Sequence, residues 1–224
     1  MDGNFALAIK MPEMRAIIFD FDGVILDSVD IKTRAFARLF SEHGPEVERQ
    51  AVEHHLAHGG ISRFRKFQHI YENILHLPLS EAESEKLGET FSELVFDEVV
   101  KAAWIPGAPD FLLEHDGLYR CFIASGTPQE ELLRIVELRQ LTRHFAGIYG
   151  TPATKEQIAT RILTEHGFAR EDVVFIGDAM TDYLAAKECG LHFIGVAADG
   201  VGPFPSGTRV LPDLRGLAAA LLAK

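Results

Sequence analysis

Two aspartates one residue apart, Asp20 and Asp22, follow an apolar run and are the residues best suited to chemistry in this chain. Alternation along an extended strand sends both side chains to the same side, at the exposed end of a buried strand. Two carboxylates this close repel each other unless a divalent cation or a shared proton lies between them. The pair therefore indicates phosphoryl chemistry, and the simpler alternative is a solvated acidic turn.

A second acidic segment has the same arrangement closer to the end of the chain. Asp178 follows the apolar run Val173–Ile176, and Asp182 comes four residues later, where a helix begins. Asp178 could complete a set of hard oxygen ligands with Asp20, whereas Asp182 is better placed as a supporting residue. For Asp182 an acidic helix start, stabilised by the helix dipole, stays open as the alternative.

A small polar segment, Ser125-Gly126-Thr127-Pro128, follows another apolar run. We expect Thr127 to cap a helix that begins at Pro128, with Glu130 as the reciprocal capping partner. The free backbone N–H groups of that helix, the Ser125 hydroxyl and the small Gly126 would then form a cradle for an anion. A serine-glycine turn before a capped helix is equally common without any function.

Lys155 lies in the first turn of a predicted helix, because Thr154 and Gln157 have the spacing of a capping box and the apolar pattern runs to about His166. A lysine in this position opposes the helix dipole, at a cost of ~0.3–1 kcal/mol. We therefore expect a nearby anionic group to compensate it, unless the side chain simply extends into solvent.

Four apolar runs predict strands that are buried on both faces: Ala16–Phe19, Cys121–Ala124, Val173–Ile176 and Phe193–Val196. Helical patterns separate the last three. This alternation predicts an α/β fold with a doubly wound parallel sheet.

The interval between the first two predicted strands is far longer than an ordinary helical connection. It contains three helical stripes of apolar residues, and the spacing of Ser80 and Glu83 predicts a capping box at the start of the third. We therefore expect a helical cap domain, residues 29–103, inserted into a core domain of residues 1–28 and 104–224.

Basic and imidazole side chains of the helical interval have two interpretations. Arg63, Arg65 and Lys66 follow a Gly-Gly break, and they form either a solvated helix face or a contact to a substrate anion, for which Arg63 is the best candidate. His54 and His58, four residues apart with His55 beside them, could form a metal-binding helix face, but no third ligand is evident. We expect these histidines to be solvated.

Composition excludes several classes of protein. The chain has 224 residues, 47% of them hydrophobic, and a net charge of −11, which argues against nucleic-acid or anionic membrane partners. Its two cysteines, Cys121 and Cys189, suggest no disulfide framework, and the acidic first residues do not resemble an export signal. We expect a cytoplasmic protein without membrane spans, and a poorly ordered first dozen residues.

The order of these motifs resembles the haloacid dehalogenase superfamily, and within it the phosphatases with an inserted helical cap, of the phosphoglycolate phosphatase and beta-phosphoglucomutase type. The resemblance extends over nearly the whole chain from about Met14. The first motif is Asp20-Phe21-Asp22-Gly23-Val24, the second is Ser125, the third is Lys155, and the fourth runs from Gly177-Asp178 to Asp182. The resemblance implies a Rossmann-like core, Mg²⁺ as cofactor and hydrolysis of a small phosphorylated metabolite.

The resemblance also implies a role for each motif. Asp20 is expected to be the nucleophile and a magnesium ligand, and Asp22 the acid/base catalyst whose backbone carbonyl also binds the metal. Lys155 would hold Asp20 and the phosphate charge. Asp178 would complete the metal site, with Asp182 in support.

On the substrate side, Ser125 is expected to bind the phosphoryl group, and Gly23, Gly126 and Arg63 to contribute to substrate binding. The chemistry agrees with these expectations, because a carboxylate that attacks phosphorus needs nearby cations to offset the repulsion between two anions. The sequence does not determine the direction in which the pKa of Asp22 shifts, since a neighbouring carboxylate raises it and a cation lowers it.

Alternatives from the same superfamily are a sugar phosphomutase, a dehalogenase and a phosphonate-cleaving enzyme, which would need a cap lysine for a Schiff base. A catalytically silent binding module is the alternative from another class, disfavoured because every expected catalytic position is filled. The particular substrate and the oligomeric state do not follow from the sequence.

Overall fold

Strand β1 (Ala16–Phe19), which precedes Asp20, lies in the interior of a six-stranded parallel sheet. The structure is a computed structural model that describes residues 14–222, so the expectation for the first dozen residues lies outside the described residues. The sheet has the strand order β3-β2-β1-β4-β5-β6. The other strands are β2 (Arg120–Pro128), β3 (Gly147–Thr151), β4 (Val173–Gly177), β5 (His192–Val196) and β6 (Val210–Leu211).

Both faces of β1 are buried, as its unbroken apolar run requires. Ile17 and Phe19 join the core on one face, and Ile18 joins a separate cluster on the other face. Helices cover both faces. The helices of the described residues, including those of the insertion, are α1 (Val29–Phe40), α2 (Pro45–Ala57), α3 (Arg63–His69), α4 (Glu81–Lys101), α5 (Ala108–Glu114), α6 (Gln129–Leu138), α7 (Lys155–His166), α8 (Met180–Cys189) and α9 (Leu217–Leu222).

The helices α1 to α4 form the insertion between β1 and β2, and we call them the cap. A π-helical segment, Ile70–Leu75, extends α3, and the predicted capping box of Ser80 and Glu83 begins α4. Phe36, Phe67 and Phe91 of the cap are buried in the same core cluster as β1. The doubly wound fold with an inserted helical cap is thus confirmed, while its boundaries at residues 28/29 and 103/104 stay predictions.

Three parts of the sheet differ from the sequence expectation, and one of them is the two-residue strand β6, which was not predicted. Strand β3 was not predicted, because its residues are only partly buried apart from Gly150 and include two glycines. Strand β2 continues to Pro128, four residues beyond the predicted end. Within residues 14–222 no helix is both long and apolar enough to cross a membrane.

Candidate active site

Asp20 lies directly after β1, at the carboxyl end of the parallel sheet, where ligands of such folds bind. Its side chain is buried, and both carboxylate oxygens accept hydrogen bonds. Oδ1 accepts from the Phe21 backbone N–H at 2.6 Å, and Oδ2 accepts from Lys155 Nζ at 2.7 Å. The carboxylate is therefore held in one orientation.

Lys155 reaches Asp20 from the first turn of α7, which the predicted capping box of Thr154 and Gln157 begins. Its ammonium also donates to Asp182 Oδ1, so the expected anionic compensation is supplied by two carboxylates. Burial favours the neutral amine, but Asp182 and Asp20 raise the pKa of Lys155 above its ordinary value. The lysine is thus a fixed positive charge beside Asp20.

Asp20, Asp178 and Asp182 bring carboxylate oxygens within 4.8 Å of one another. Burial raises the pKa of Asp20 to about 7, against the opposing effect of Lys155 and helped by Asp182 and Asp22. Burial and Asp20 raise the pKa of Asp178 well above its usual range. Hard oxygen donors that resist ionisation when crowded together fit a divalent cation, which would stabilise their charged forms.

Gly23 permits Asp178 to lie this close. Its φ is +78°, and a β-carbon at this position would lie 2.2 Å from Asp178 Oδ2. A side chain would therefore be strained by its backbone conformation and would displace the carboxylate.

The Asp22 carboxylate turns toward α1 instead of the carboxylate cluster. It accepts hydrogen bonds from the Ser28 hydroxyl at 2.6 Å, from the Thr127 hydroxyl at 3.2 Å and from the Lys32 ammonium. Burial favours the neutral acid, but Lys32 and the two hydroxyls hold the pKa of Asp22 below its ordinary value. Asp22 is therefore an ionised group that can accept a proton.

The predicted cap at Thr127 is wrong. Helix α6 begins at Gln129, its N-cap is Pro128, and no side chain closes a capping box there. The Thr127 hydroxyl instead donates to Asp22 and accepts from Lys32 Nζ at 2.8 Å. Because the Thr127 hydroxyl bonds to Asp22 and Lys32, it does not accept a hydrogen bond from the first turn of α6. Glu130 therefore has no reciprocal partner for a capping box.

Ser125 and Gly126 of the second motif lie beside Lys155. The Ser125 side chain is buried, and its oxygen accepts from the Thr127 backbone N–H at 3.1 Å. Together with Lys155 these two residues line a cavity of about 170 Å³. A β-carbon at position 126 would lie 2.6 Å from the Gly60 carbonyl oxygen, so glycine lets the cap approach the core here.

A larger cavity of about 230 Å³ lies between the cap and the core. Asp20, Asp22, Gly126, Thr127 and Asp178 line it from the core side. Cationic and aromatic side chains line it from the cap side: Lys32, Phe36, His55, Arg63, Lys66 and Phe91. The cap therefore covers the carboxylates and leaves between them a cavity lined by both charged and apolar side chains.

Arg63 and Lys66 are buried, which excludes the solvated-face interpretation for them, whereas Arg65 is exposed. Arg63 Nη2 lies 2.5 Å from Glu131 Oε1 of α6, and Arg63 Nη1 donates to the Ser92 hydroxyl at 2.7 Å. The guanidinium lines the cavity but is already paired with a carboxylate of the core.

His55 is also buried, which contradicts the expectation of solvated histidines for this residue. Its Nδ1 accepts a hydrogen bond from Lys66 Nζ at 3.0 Å. Lys32, Glu131 and the pairing of His55 with Lys66 were all missed by the sequence analysis. Only Lys32 had a usable signal, because its place on the first helix after the Asp20–Asp22 motif keeps it near that motif.

Fold and site together define a capped α/β enzyme with a buried aspartate, a paired lysine and a carboxylate cluster that can bind a divalent cation. The chain belongs to the haloacid dehalogenase-like hydrolase family, whose pattern matches residues 17–196. It is an enzyme, a phosphatase of this family.

Two curated relatives have similar sequences. Phosphoglycolate phosphatase 1 of Pseudomonas aeruginosa is 28% identical over 193 residues, which cover 83% of this chain and 69% of the relative. A 5'-nucleotidase of the same organism is 28% identical over 204 residues, which cover 84% of either chain.

A solved structure, CbbY from Rhodobacter sphaeroides in complex with phosphate, has the same fold with a TM-score of 0.74. It is 19% identical in sequence, and the match covers 93% of this chain and 99% of that one. At this identity the likeness concerns the fold.

Proposed function

We propose that this phosphatase hydrolyses a small phosphorylated metabolite, with Asp20 as the nucleophile and an aspartyl-phosphate as the intermediate. The observation that carries the proposal is the buried contact between Lys155 and Asp20, the latter of which lines the cavity under the cap. The fixed charge of Lys155 lowers the repulsion between the carboxylate and an incoming phosphate and stabilises the transferring group.

Asp22 takes the acid/base role. Having accepted a proton, it gives that proton to the leaving alkoxide, and it then removes one from the water that hydrolyses the aspartyl-phosphate. Its contact with Lys32 favours the ionised form, which is the form needed for the second step. Ser125 and Gly126 bind the phosphoryl oxygens beside Lys155.

Asp20, Asp178 and the backbone carbonyl of Asp22 would hold Mg²⁺, with Asp182 orienting Lys155 and the fourth motif. When bound, the ion would offset charge on the phosphoryl group and keep the carboxylates ionised. Both cysteines are free thiols, which suits the reducing cytoplasm that we propose as the location.

The size of the cavity supports a small substrate. Pockets that bind drug-sized ligands measure roughly 300–1,000 Å³, and the cavity over Asp20 measures about 230 Å³. This favours a two- or three-carbon phosphate ester, such as the phosphoglycolate of one relative's name, over a nucleotide. It also disfavours a phosphomutase, in which a sugar bisphosphate must turn round inside the closed site.

A panel of phosphorylated metabolites, with released phosphate as the readout, tests this proposal. We expect magnesium-dependent release from short esters, slow release from nucleoside monophosphates, and none from the Asp20→Asn variant. Conversion of a sugar phosphate into its isomer without release of phosphate would support the mutase instead. Halide release from a haloacid would support a dehalogenase, and no turnover on any ester would support a binding module.

A further inference from the structure

Three cationic side chains of the cap line the cavity over Asp20: Lys32, Arg63 and Lys66. Lys32 is paired with Asp22, and Arg63 is paired with Glu131. Lys66 has no carboxylate partner among residues 14–222, although its side chain is only 3% exposed. Charging a buried amine without a counter-charge is costly, and an anionic ligand in the cavity would offset that cost.

His55 fixes the position of the Lys66 ammonium. Lys66 Nζ donates to His55 Nδ1 at 3.0 Å and to the His55 carbonyl oxygen at 3.3 Å. The imidazole is held in turn by stacking on Phe36, with ring centroids 4.4 Å apart. Burial and the neighbouring Lys66 lower the pKa of His55 to about 3, so the ring is neutral and its Nδ1 is free to accept.

This arrangement decides which ligand group suits Lys66. Two of the three N–H donors of the ammonium are used by His55, which leaves one. The guanidinium of Arg63 is engaged by Glu131 and Ser92, and Lys32 by Asp22 and Thr127. One remaining donor suits a single carboxylate oxygen, whereas a second phosphate group would need several.

We propose that Lys66 is the specificity-determining residue, that it binds a carboxylate at the non-reacting end of the substrate, and that His55 positions it. The preferred substrate is then a short phosphate monoester that carries one carboxylate. This inference rests on the proposed function, because that function places the phosphate end at Asp20. On the core side, Asp22 and Asp178 favour the charged form of Lys66, but neither forms an ion pair with it.

A matched pair of substrates tests the proposal. 2-Phosphoglycolate and 2-hydroxyethyl phosphate share the phosphate and the two-carbon chain, and only the first carries a carboxylate. We expect Lys66→Met to lower kcat/KM for phosphoglycolate by roughly tenfold to a hundredfold, the range of a charge-assisted hydrogen bond. The same variant should change kcat/KM for the ester without a carboxylate by less than about threefold, and the exposed Lys86→Met should change kcat/KM for neither ester.

The proposal is overturned if Lys66→Met lowers kcat/KM equally for both esters, which would indicate a structural role. It is also overturned if the variant lowers kcat/KM for neither ester. Faster turnover of a bisphosphate than of phosphoglycolate by the unmodified enzyme would overturn the assignment to carboxylates. Melting by circular dichroism establishes that the variant is folded, and Lys66→Gln replaces it if it is not. His55→Phe, which keeps the stacking and removes the acceptor, should show the same selective loss to a smaller degree.

Binding separates a failure of this inference from a failure of the proposed function. In an Asp20→Asn background, calorimetry measures the affinity for both esters without any turnover. We expect tighter binding of phosphoglycolate, and loss of that preference when Lys66→Met is added. If the unmodified enzyme turns over no ester but this preference is present and depends on Lys66, the proposed function fails and the specificity assignment stands. If turnover is normal and the preference does not depend on Lys66, the proposed function stands and the specificity assignment fails.

Discussion

Lys155 Nζ lies 2.7 Å from Asp20 Oδ2, although the two residues are 135 positions apart in the chain. The contact joins the end of the interior strand β1 to the first turn of α7 and has almost no exposure to solvent. A lysine at a helix N-terminus is unfavourable by itself, and here two carboxylates compensate it. The site therefore holds the Lys155 ammonium at the place where negative charge develops during phosphoryl transfer.

The metal requirement should depend on Asp178. Asp178→Asn removes a charged oxygen donor and keeps the size of the side chain, so we expect the magnesium concentration for half-maximal activity to rise at least about tenfold. Chelation should abolish the activity of the unmodified enzyme, and added magnesium should restore it. The matched control is Asp97→Asn on the exposed face of α4. A magnesium titration that Asp178→Asn leaves unchanged would remove Asp178 from the ligand set.

The buried pair of Arg63 and Glu131 should stabilise the closed arrangement of cap and core. Glu131→Gln leaves the guanidinium buried without a counter-charge, and we expect it to lower the free energy of unfolding by about 3–5 kcal/mol. Urea denaturation measures this loss, with Glu137→Gln on the exposed face of α6 as the control. Combining Glu131→Gln with Arg63→Met should recover part of the loss. Equal stability of Glu131→Gln and the control would show that the pair contributes little.

The preference for an acidic substrate should depend on pH. Burial and Lys32 lower the pKa of Lys66 to about 7, so the ammonium of the free enzyme loses its proton as the pH rises above that value. The charged groups that act on it are Lys32, Asp22, Lys155 and Asp178. We therefore expect the ratio of kcat/KM for phosphoglycolate to that for 2-hydroxyethyl phosphate to be constant below pH 7 and to fall above it.

The ratio is the useful quantity because both esters carry the same phosphate group and react with the same Asp20 and Asp22. The titrations of these groups affect both kcat/KM values equally and cancel in the ratio. In Lys66→Met the ratio should be low and independent of pH. A ratio in the unmodified enzyme that is flat from pH 6 to 9 would contradict the role of the Lys66 ammonium.

Much of the fold could be predicted because it depends on local patterns. The strand β1 and the capping boxes at Ser80 and Thr154 are encoded by neighbouring residues, and their prediction is confirmed. The compensation of Lys155 could also be predicted, since an unfavourable helix start needs a counter-charge. Strand β3 could not be predicted, because this edge strand contains two glycines and has no continuous apolar run.

The cap side of the site could not be predicted for a different reason. The contact of Arg63 with substrate stays a prediction, but its pairing with Glu131, 68 residues away in the chain, was not foreseen. No periodicity or spacing encodes such a pair, since it exists only after the cap has folded onto the core. The same holds for Lys66 and His55, whose burial follows from the packing of two cap helices.

The most direct test of the central claim is to locate the covalent intermediate. The enzyme is mixed with a rapidly hydrolysed short phosphate ester, quenched in acid within the first turnover and digested for mass spectrometry. We expect one phosphoryl group on Asp20, removable by hydroxylamine, and its absence from Asp20→Asn, whose rate of phosphate release should fall by at least about a thousandfold. Phosphoryl on another residue, or phosphate release by Asp20→Asn within tenfold of the unmodified rate, would contradict Asp20 as the nucleophile.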